Sequence, residues 1–279
     1  MSDSRIGEWL AAFALAQRCR GLAESTIRHR DNQLRRYIEQ VGTGRVWSAD
    51  WRAVESYLAT RHLGPAALQR ALSDIAVFYK WARREGLTTV APVAQLDRPR
   101  RPRAVPRPLP DGVVLRALRH RDPRTAAAVA LMAYGGLRCC EVSRATWGDV
   151  DWTAAAVYVT GKGGHTRWVP IVAPLRPYLH RLDGLEGGDP IMPRRDREPG
   201  PASPAMVSQR IAQWLRVCAG GQPATPHQLR HWYATQALAR TGRLDLVQLL
   251  LGHQSIATTQ VYAAVPAGWA DQLRDVWPD

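Results

Sequence analysis

With 279 residues, 46% of them hydrophobic, and a formal net charge of +14, the chain can build two globular domains with separate cores and calls for a polyanionic partner. Nucleic acid and an anionic membrane surface both satisfy that charge, but the longest apolar run, Ala126 to Tyr134, falls far short of a bilayer span, and the N-terminus lacks a signal peptide's basic-then-apolar layout. Cys19, Cys139, Cys140 and Cys218 form no CxxC pair and no zinc spacing, which points to a reduced, cytoplasmic protein without a structural metal. Of the 38 basic residues only Lys80 and Lys162 are lysine, so the places where lysine survives are candidates for chemistry that arginine cannot perform.

From Ser4 to about Gly86 the pattern is helical. Trp9, Leu10, Phe13 and Leu15 form a first apolar stripe. A second helix is expected over Glu24 to Val41, with Ile27, Leu34 and Ile38 inward and Arg28, Arg30, Arg35 and Arg36 on other faces. A third follows Ser48, the expected N-cap, through Trp51, Val54 and Leu58. A fourth starts near Pro65 and carries Leu68, Leu72, Ile75, Phe78 and Trp81 before Gly86 ends it. The surplus of arginine and the run Phe78-Tyr79-Lys80-Trp81 point to a DNA-facing helix, against the plainer reading of a solvated basic surface.

Asp97 to Pro110, DRPRRPRAVPRPLP, interleaves five prolines with five arginines. Proline blocks helix continuation and holds the chain extended, which marks a domain boundary. Arg98, Arg100, Arg101 and Arg103 suit a stiff segment lying along a phosphate backbone. Beyond it, a short helix is expected over Asp111 to His120 and an apolar one over Pro123 to Gly135. Two β-runs, Ala156 to Thr160 and Thr166 to Val172, flank the hairpin signal Gly161-Lys162-Gly163-Gly164. Pro174 to Leu182 reads as a helix, Gly184 to Pro204 as a loop, and the chain from Met206 onward as helical apart from AGGQPATP.

Several side chains in this half suit phosphate chemistry. Arg138 follows Gly135-Gly136 and an apolar helix, where a charged group needs an anionic partner; Glu141, three residues on, can hold it. His227 and Arg230 are three apart, on one helix face, and two guanidiniums can clamp the non-bridging oxygens of a phosphate. Lys162 can donate a proton to a leaving oxygen where an arginine cannot, although it fits a solvent-exposed turn equally well. His227 and His231 have zinc spacing, but HQLRH lacks the HExxH glutamate and Arg230 would repel a cation, so His231 reads as a structural histidine. His227 and His253 read as proton-transfer and phosphate-binding groups. Tyr262, nine residues after His253, is the nucleophile candidate, since a phenolate forms only beside a base and positive charge. A tyrosine at such a position is otherwise core.

Four segments, GGLRCCEVSRATWGDVD, GKGGHTRWVPI, TPHQLRHWYAT and LLLGHQSIATTQVY, stand in that order between Pro106 and Ala264. In them the chain resembles tyrosine site-specific recombinases, the group of phage integrases, Cre and bacterial XerC and XerD. The resemblance implies a mainly α protein with two domains that close as a C-shaped clamp on DNA. These are a SAM-like core-DNA-binding bundle over residues 1–95, a linker over 96–109, and an α+β catalytic domain with a small sheet and a C-terminal tail helix over 110–279.

Position by position, it implies that Arg138 is the first catalytic arginine and that Lys162 protonates the leaving 5′-hydroxyl. His227 and Arg230 form the H-x-x-R pair, His253 supports the scissile phosphate, and Tyr262 forms a 3′-phosphotyrosyl link. Strand exchange would proceed through a Holliday junction with no metal or ATP. Partners would be double-stranded recombination sites, three further copies in a cyclic tetramer, and a directionality factor or second recombinase. A small phage or mobile-element integrase is the leading expectation, with no arm-site-binding domain. A Xer-type resolvase, a catalytically inactive DNA-binding relative and a type IB topoisomerase-like enzyme stand beside it. Cys139-Cys140 departs from the family pattern and is expected to affect packing rather than chemistry, and Trp232 is bulkier than the residue usual there. The tail, with Trp269, Leu273, Val276 and Trp277, is expected to dock on a neighbouring protomer or in cis.

Overall fold

The computed structural model describes residues 3–97, 107–161, 164–195 and 200–252, with side chains from Ile6 onward. The chain divides into two compact units, residues 1–105 and 106–279, with the division inside the Arg/Pro stretch.

The first unit contains α1 (Asp3–Arg18), α2 (Glu24–Val41), α3 (Trp51–Ala59) and α4 (Pro65–Arg84). Proline at the first position of α4 loses no hydrogen bond that a helix start would make, and Gly86, in the left-handed region at φ 72°, lies just beyond its end. The core is aromatic: Tyr37, Tyr57, Tyr79 and Phe78 are buried beside Leu34 and Ile75. Burial obliges the phenols to find partners. The Tyr79 hydroxyl donates to the Val46 carbonyl at 2.6 Å and lies 3.0 Å from the Tyr37 hydroxyl.

Four expectations for this unit need correction. Asp50, not Ser48, caps α3: its carboxylate accepts the Ala53 N–H at 3.1 Å, while Ser48 ends a preceding 3-10 turn and bonds back to Arg45. Leu15 points to solvent, because the helical repeat after Phe13 brings Gln17 inward instead. Gln17 is satisfied by Arg30, whose guanidinium also pairs with buried Asp74 at 2.9 Å; Arg30 therefore serves the core rather than a ligand. Finally, Phe78, Tyr79 and Trp81 are buried, so the aromatic run belongs to the bundle interior and only Lys80 faces outward.

The second unit is α+β. Its elements are α5 (Asp111–Ala117), α6 (Pro123–Tyr134), α7 (Cys139–Val142), β1 (Val150–Asp151), β2 (Ala156–Thr160), β3 (Thr166–Pro170), α8 (Arg176–His180), α9 (Pro204–Cys218), α10 (Pro226–Thr241) and α11 (Leu244–Leu251). Helix α6 is buried from Thr125 to Tyr134 and forms the axis of the core; Asp122 caps it by accepting the Arg124 and Thr125 N–H groups. The three strands form one antiparallel sheet in sequence order. Its register sets Val157 opposite Val169 and Val159 opposite Arg167 on the covered face, and Tyr158 opposite Trp168 on the exposed one.

Local chemistry shifts several boundaries. The helix expected over Pro174 to Leu182 divides into a 3-10 turn, Ala173–Leu175, and the short α8, with Pro177 unable to supply an N–H at the junction. Helix α5 stops at Ala117, short of His120. Ser203 caps α9 two residues earlier than expected by accepting the Met206 N–H. Leu109 is buried in the second core, so the far end of the proline-rich stretch is anchored there. No described helix is long and apolar enough to cross a membrane.

Candidate active site

The site is organised around one carboxylate. Helix α6 ends at Tyr134, and the chain turns through Gly135 and Gly136 into Leu137 and Arg138, which precedes the single turn of α7. Gly136 sits in the left-handed region at φ 65°, and a Cβ there would lie 2.7 Å from the Tyr233 ring, so both conformation and space require glycine. Glu141, in the third position of α7, turns back: its carboxylate accepts the Arg138 backbone N–H at 2.8 Å and the Arg138 guanidinium at 2.9 Å. The carboxylate is wholly buried, whereas the Arg138 side chain keeps 38% of its surface exposed.

A second arginine reaches the same carboxylate from the sheet. Arg167 lies on the covered face of β3, and its two terminal nitrogens donate to the two oxygens of Glu141 at 2.9 and 3.0 Å. A third comes from α10. Arg230, 5% exposed, lies 3.9 Å from Glu141 and donates to the carbonyls of Gly136 at 2.5 Å and Leu251 at 2.6 Å. Arg230 therefore ties the glycine break after α6 to the last residue of α11.

Three guanidiniums against one carboxylate leave a surplus of positive charge in a confined place. Burial first, and then repulsion from Arg138 and Arg167, pushes the Arg230 value down to about 10. Burial would raise the Glu141 carboxyl, but the bonds and charge of Arg167, followed by those of Arg138, outweigh it and hold it below the usual carboxylate range. His227 and His231, one turn apart on α10, meet edge to face with ring centroids 4.4 Å apart. His227 is held below its ordinary value by partial desolvation, then by His231, Arg230 and Arg138, so it is neutral near pH 7 and can accept a proton.

The structure thus brings Arg138, Glu141, Arg230, His227 and His231 into one neighbourhood. Lys162, His253 and Tyr262 lie outside the described residues, as do Arg98, Arg100, Arg101 and Arg103. Their sequence neighbours are informative. Gly161, next to Lys162, would carry a Cβ 3.5 Å from Glu141, and its carbonyl accepts from Arg144 at 3.2 Å. Gly252, next to His253, would carry a Cβ 3.2 Å from the Arg167 side chain. Lys80, in the first unit, lines a shallow basic depression with Arg83, Arg84, Thr88 and Thr89.

Arg167 escaped the sequence reading. A signal for it existed: in the β2–β3 hairpin, the parity that turns Val157 and Val159 inward also turns Arg167 inward, and an inward arginine needs an acid. Of the departures from the family pattern, Trp232 is buried and donates its indole N–H to Asp111 at 2.6 Å, joining α10 to the start of α5. Cys139 is half-buried against the core, and that burial pushes its thiol up, away from reactivity.

The phage integrase family model matches residues 114–267. Tyrosine recombinase XerC of Rhizobium meliloti is 33% identical, over 96% of this chain and 90% of that protein. The chain belongs to the phage integrase family. Members are tyrosine recombinases, enzymes that break and rejoin DNA, and the matched span contains every residue of the arginine cluster. Among solved structures, an integrase from mycobacterium phage Brujita is 26% identical with a TM-score of 0.52, covering 95% of this chain and 89% of that one. A lambda integrase tetramer bound to a Holliday junction has a TM-score of 0.70 at 19% identity, covering 92% of this chain and 80% of that one, and shares the fold.

Proposed function

We propose that the chain is a site-specific recombinase that cuts DNA through a covalent 3′-phosphotyrosyl intermediate formed by Tyr262, and that it is of the Xer type. One observation carries the chemical part. Segments distant in sequence, residues 135–141, Gly161, Arg167, residues 227–231 and 251–252, converge on the buried Glu141 with an excess of guanidinium charge. Such a site recognises a tetrahedral anion and stabilises added charge on it.

In this reading Arg138, the most exposed of the three, and Arg230 hold the non-bridging oxygens of the scissile phosphate. His227, neutral near pH 7, takes the phenolic proton as the Tyr262 oxygen attacks phosphorus. His253, which follows Gly252, donates to the developing pentacoordinate phosphate. Lys162, next to Gly161, gives its proton to the departing 5′-oxygen. The phosphodiester is exchanged for a phosphotyrosine ester of similar energy, so rejoining needs only attack by another 5′-hydroxyl. Lys80 and the linker arginines Arg98, Arg100, Arg101 and Arg103 contact backbone phosphates. The first unit acts as the core-DNA-binding domain, and four copies form a ring around a Holliday junction, as in the lambda integrase tetramer.

The match to a curated XerC over 96% of the chain favours the Xer type; the Brujita integrase structure keeps an integrase as the second reading. A Tyr262→Phe variant should bind a duplex enriched from a randomised pool yet form no covalent adduct with its nicked version. An adduct in that variant would remove Tyr262 from the role. Resolution of a plasmid carrying two direct copies of that site by the chain alone, or with a second recombinase, is the Xer outcome. Dependence on a directionality factor is the integrase outcome.

A further inference from the structure

Arg167 makes the most specific contact in the active-site cluster, yet no step of the reaction requires it to touch DNA. Its guanidinium spans both oxygens of Glu141, at 2.9 and 3.0 Å, and its side chain is 16% exposed. Glu141 in turn fixes Arg138 twice, through the backbone N–H at 2.8 Å and the guanidinium at 2.9 Å. The other flank of Arg167 lies under Gly252: a Cβ on that residue would stand 3.2 Å from the Arg167 Cδ and 3.6 Å from its Nε. That Nε–H is buried without a hydrogen-bond partner among the described residues, and Gly252, at φ 63°, is the last described residue before His253. One side chain therefore braces the acid that orients Arg138 and supports the backbone that leads into His253.

We propose that Arg167 is a positioning residue of the recombinase active site: it keeps Glu141 in place as the brace of Arg138 and seats the Gly252 turn that precedes His253 in the chain. The proposal rests on the reading of Arg138 and Arg230 as the phosphate clamp. Its physical basis is that a buried carboxylate stays ionised only while its donors remain. Arg167 is the strongest influence holding Glu141 ionised against its burial. Without the fork, Glu141 takes up a proton at a higher pH, loses an acceptor site for Arg138, and frees the Arg138 side chain to leave its geometry. Small misplacements of a clamping group are costly in rate.

The test uses the full chain and a nicked suicide duplex built on a site enriched from a randomised pool with the Tyr262→Phe variant. Arg167→Met should bind this duplex within about threefold of the parent but form adduct at least about tenfold more slowly. The loss should deepen as pH falls through the raised Glu141 value. Adding Glu141→Gln should abolish that extra pH dependence, because no proton remains to bind. If Arg167→Met does not fold, Arg167→Lys decides: it keeps the charge, loses the two-oxygen fork, and should show the same rate loss with binding retained. Adduct formation at the parental rate with an unmoved pH profile overturns the proposal, as does parallel loss of binding and adduct formation. Arg138→Ala separates the two layers. If that variant still forms adduct at the parental rate, the clamp reading falls; if it is inactive while the Arg167 variants match the parent, only the positioning role falls.

Discussion

Replacing Glu141 by glutamine tests the centre of the site with almost no change of shape. Glutamine retains one carbonyl oxygen for Arg167 or Arg138, but its amide nitrogen confronts a guanidinium where an oxygen accepted, and the carboxylate that pairs with three guanidiniums among the described residues loses its charge. Removing one partner from a buried ion pair costs about 3–5 kcal/mol. Arg138 is over a third exposed, so its contribution is screened and the lower end, about 3 kcal/mol, is expected. For a unit of this size that amounts to a fall of roughly 6–12 °C in Tm. The sign with pH follows from the carboxyl being held below its unfolded value: its stabilisation is complete above that unfolded value and is lost as pH falls through the folded one. Calorimetry of the full chain should therefore show the parent–variant gap, confined to the transition of the second unit, widest near neutrality and closing in acid. A gap under about 2 °C at neutral pH, or one constant into acid, would refute the claim that an ionised Glu141 holds the cluster.

Gly136→Ala forces a side chain into left-handed backbone and against the Tyr233 ring, which should cost about 2–4 kcal/mol, read by denaturant unfolding; a cost below about 1 kcal/mol would mean the turn relaxes freely. Trp232→Phe keeps most of the buried ring but removes the 2.6 Å bond to Asp111, for a loss of about 1–2 kcal/mol that Asp111→Ala in the same background should not deepen by more than about half a kcal/mol. His227 should titrate below the ordinary imidazole value in an NMR pH series, and Arg138→Ala should move it upward by removing one like charge; no movement would separate the two groups electrostatically.

How far the sequence discloses this site depends on the kind of signal involved. Arg138 is legible because a charge beside Gly135-Gly136 and an apolar helix needs an anion, and Glu141 was the nearest one. His227 and Arg230 are legible because helical spacing aligns them. Arg167 was not, because its partner lies 26 residues away, and only the hairpin register, which a sequence does not state, turns it inward. The aromatic run around Lys80 failed for the opposite reason: its composition suits a nucleic-acid face, but helical periodicity set against Leu72 and Ile75 sends Phe78, Tyr79 and Trp81 into the core. Arg30 was likewise assigned outward because nothing local announced Asp74, 44 residues on. Local chemistry reads from a sequence; the far partner of a buried charge does not.

Read as the proposed phosphate clamp, the cluster also has a physical reason to contain a buried acid. Three guanidiniums packed together without an anion would repel one another and would have to deprotonate or separate. Arg230, pushed down to about 10 by burial first and then by Arg138 and Arg167, is the most subject to that pressure. A carboxylate on the surface could neutralise them but would compete with DNA for the exposed Arg138. Glu141 avoids this by sitting wholly beneath the cluster: it takes the whole fork of Arg167 and one terminal nitrogen of Arg138 while leaving much of Arg138 facing out. The arrangement offsets its own repulsion and is still positive in sum. That is the condition under which a phosphodiester can be bound by charge already in place, with little reorganisation needed at the moment of attack.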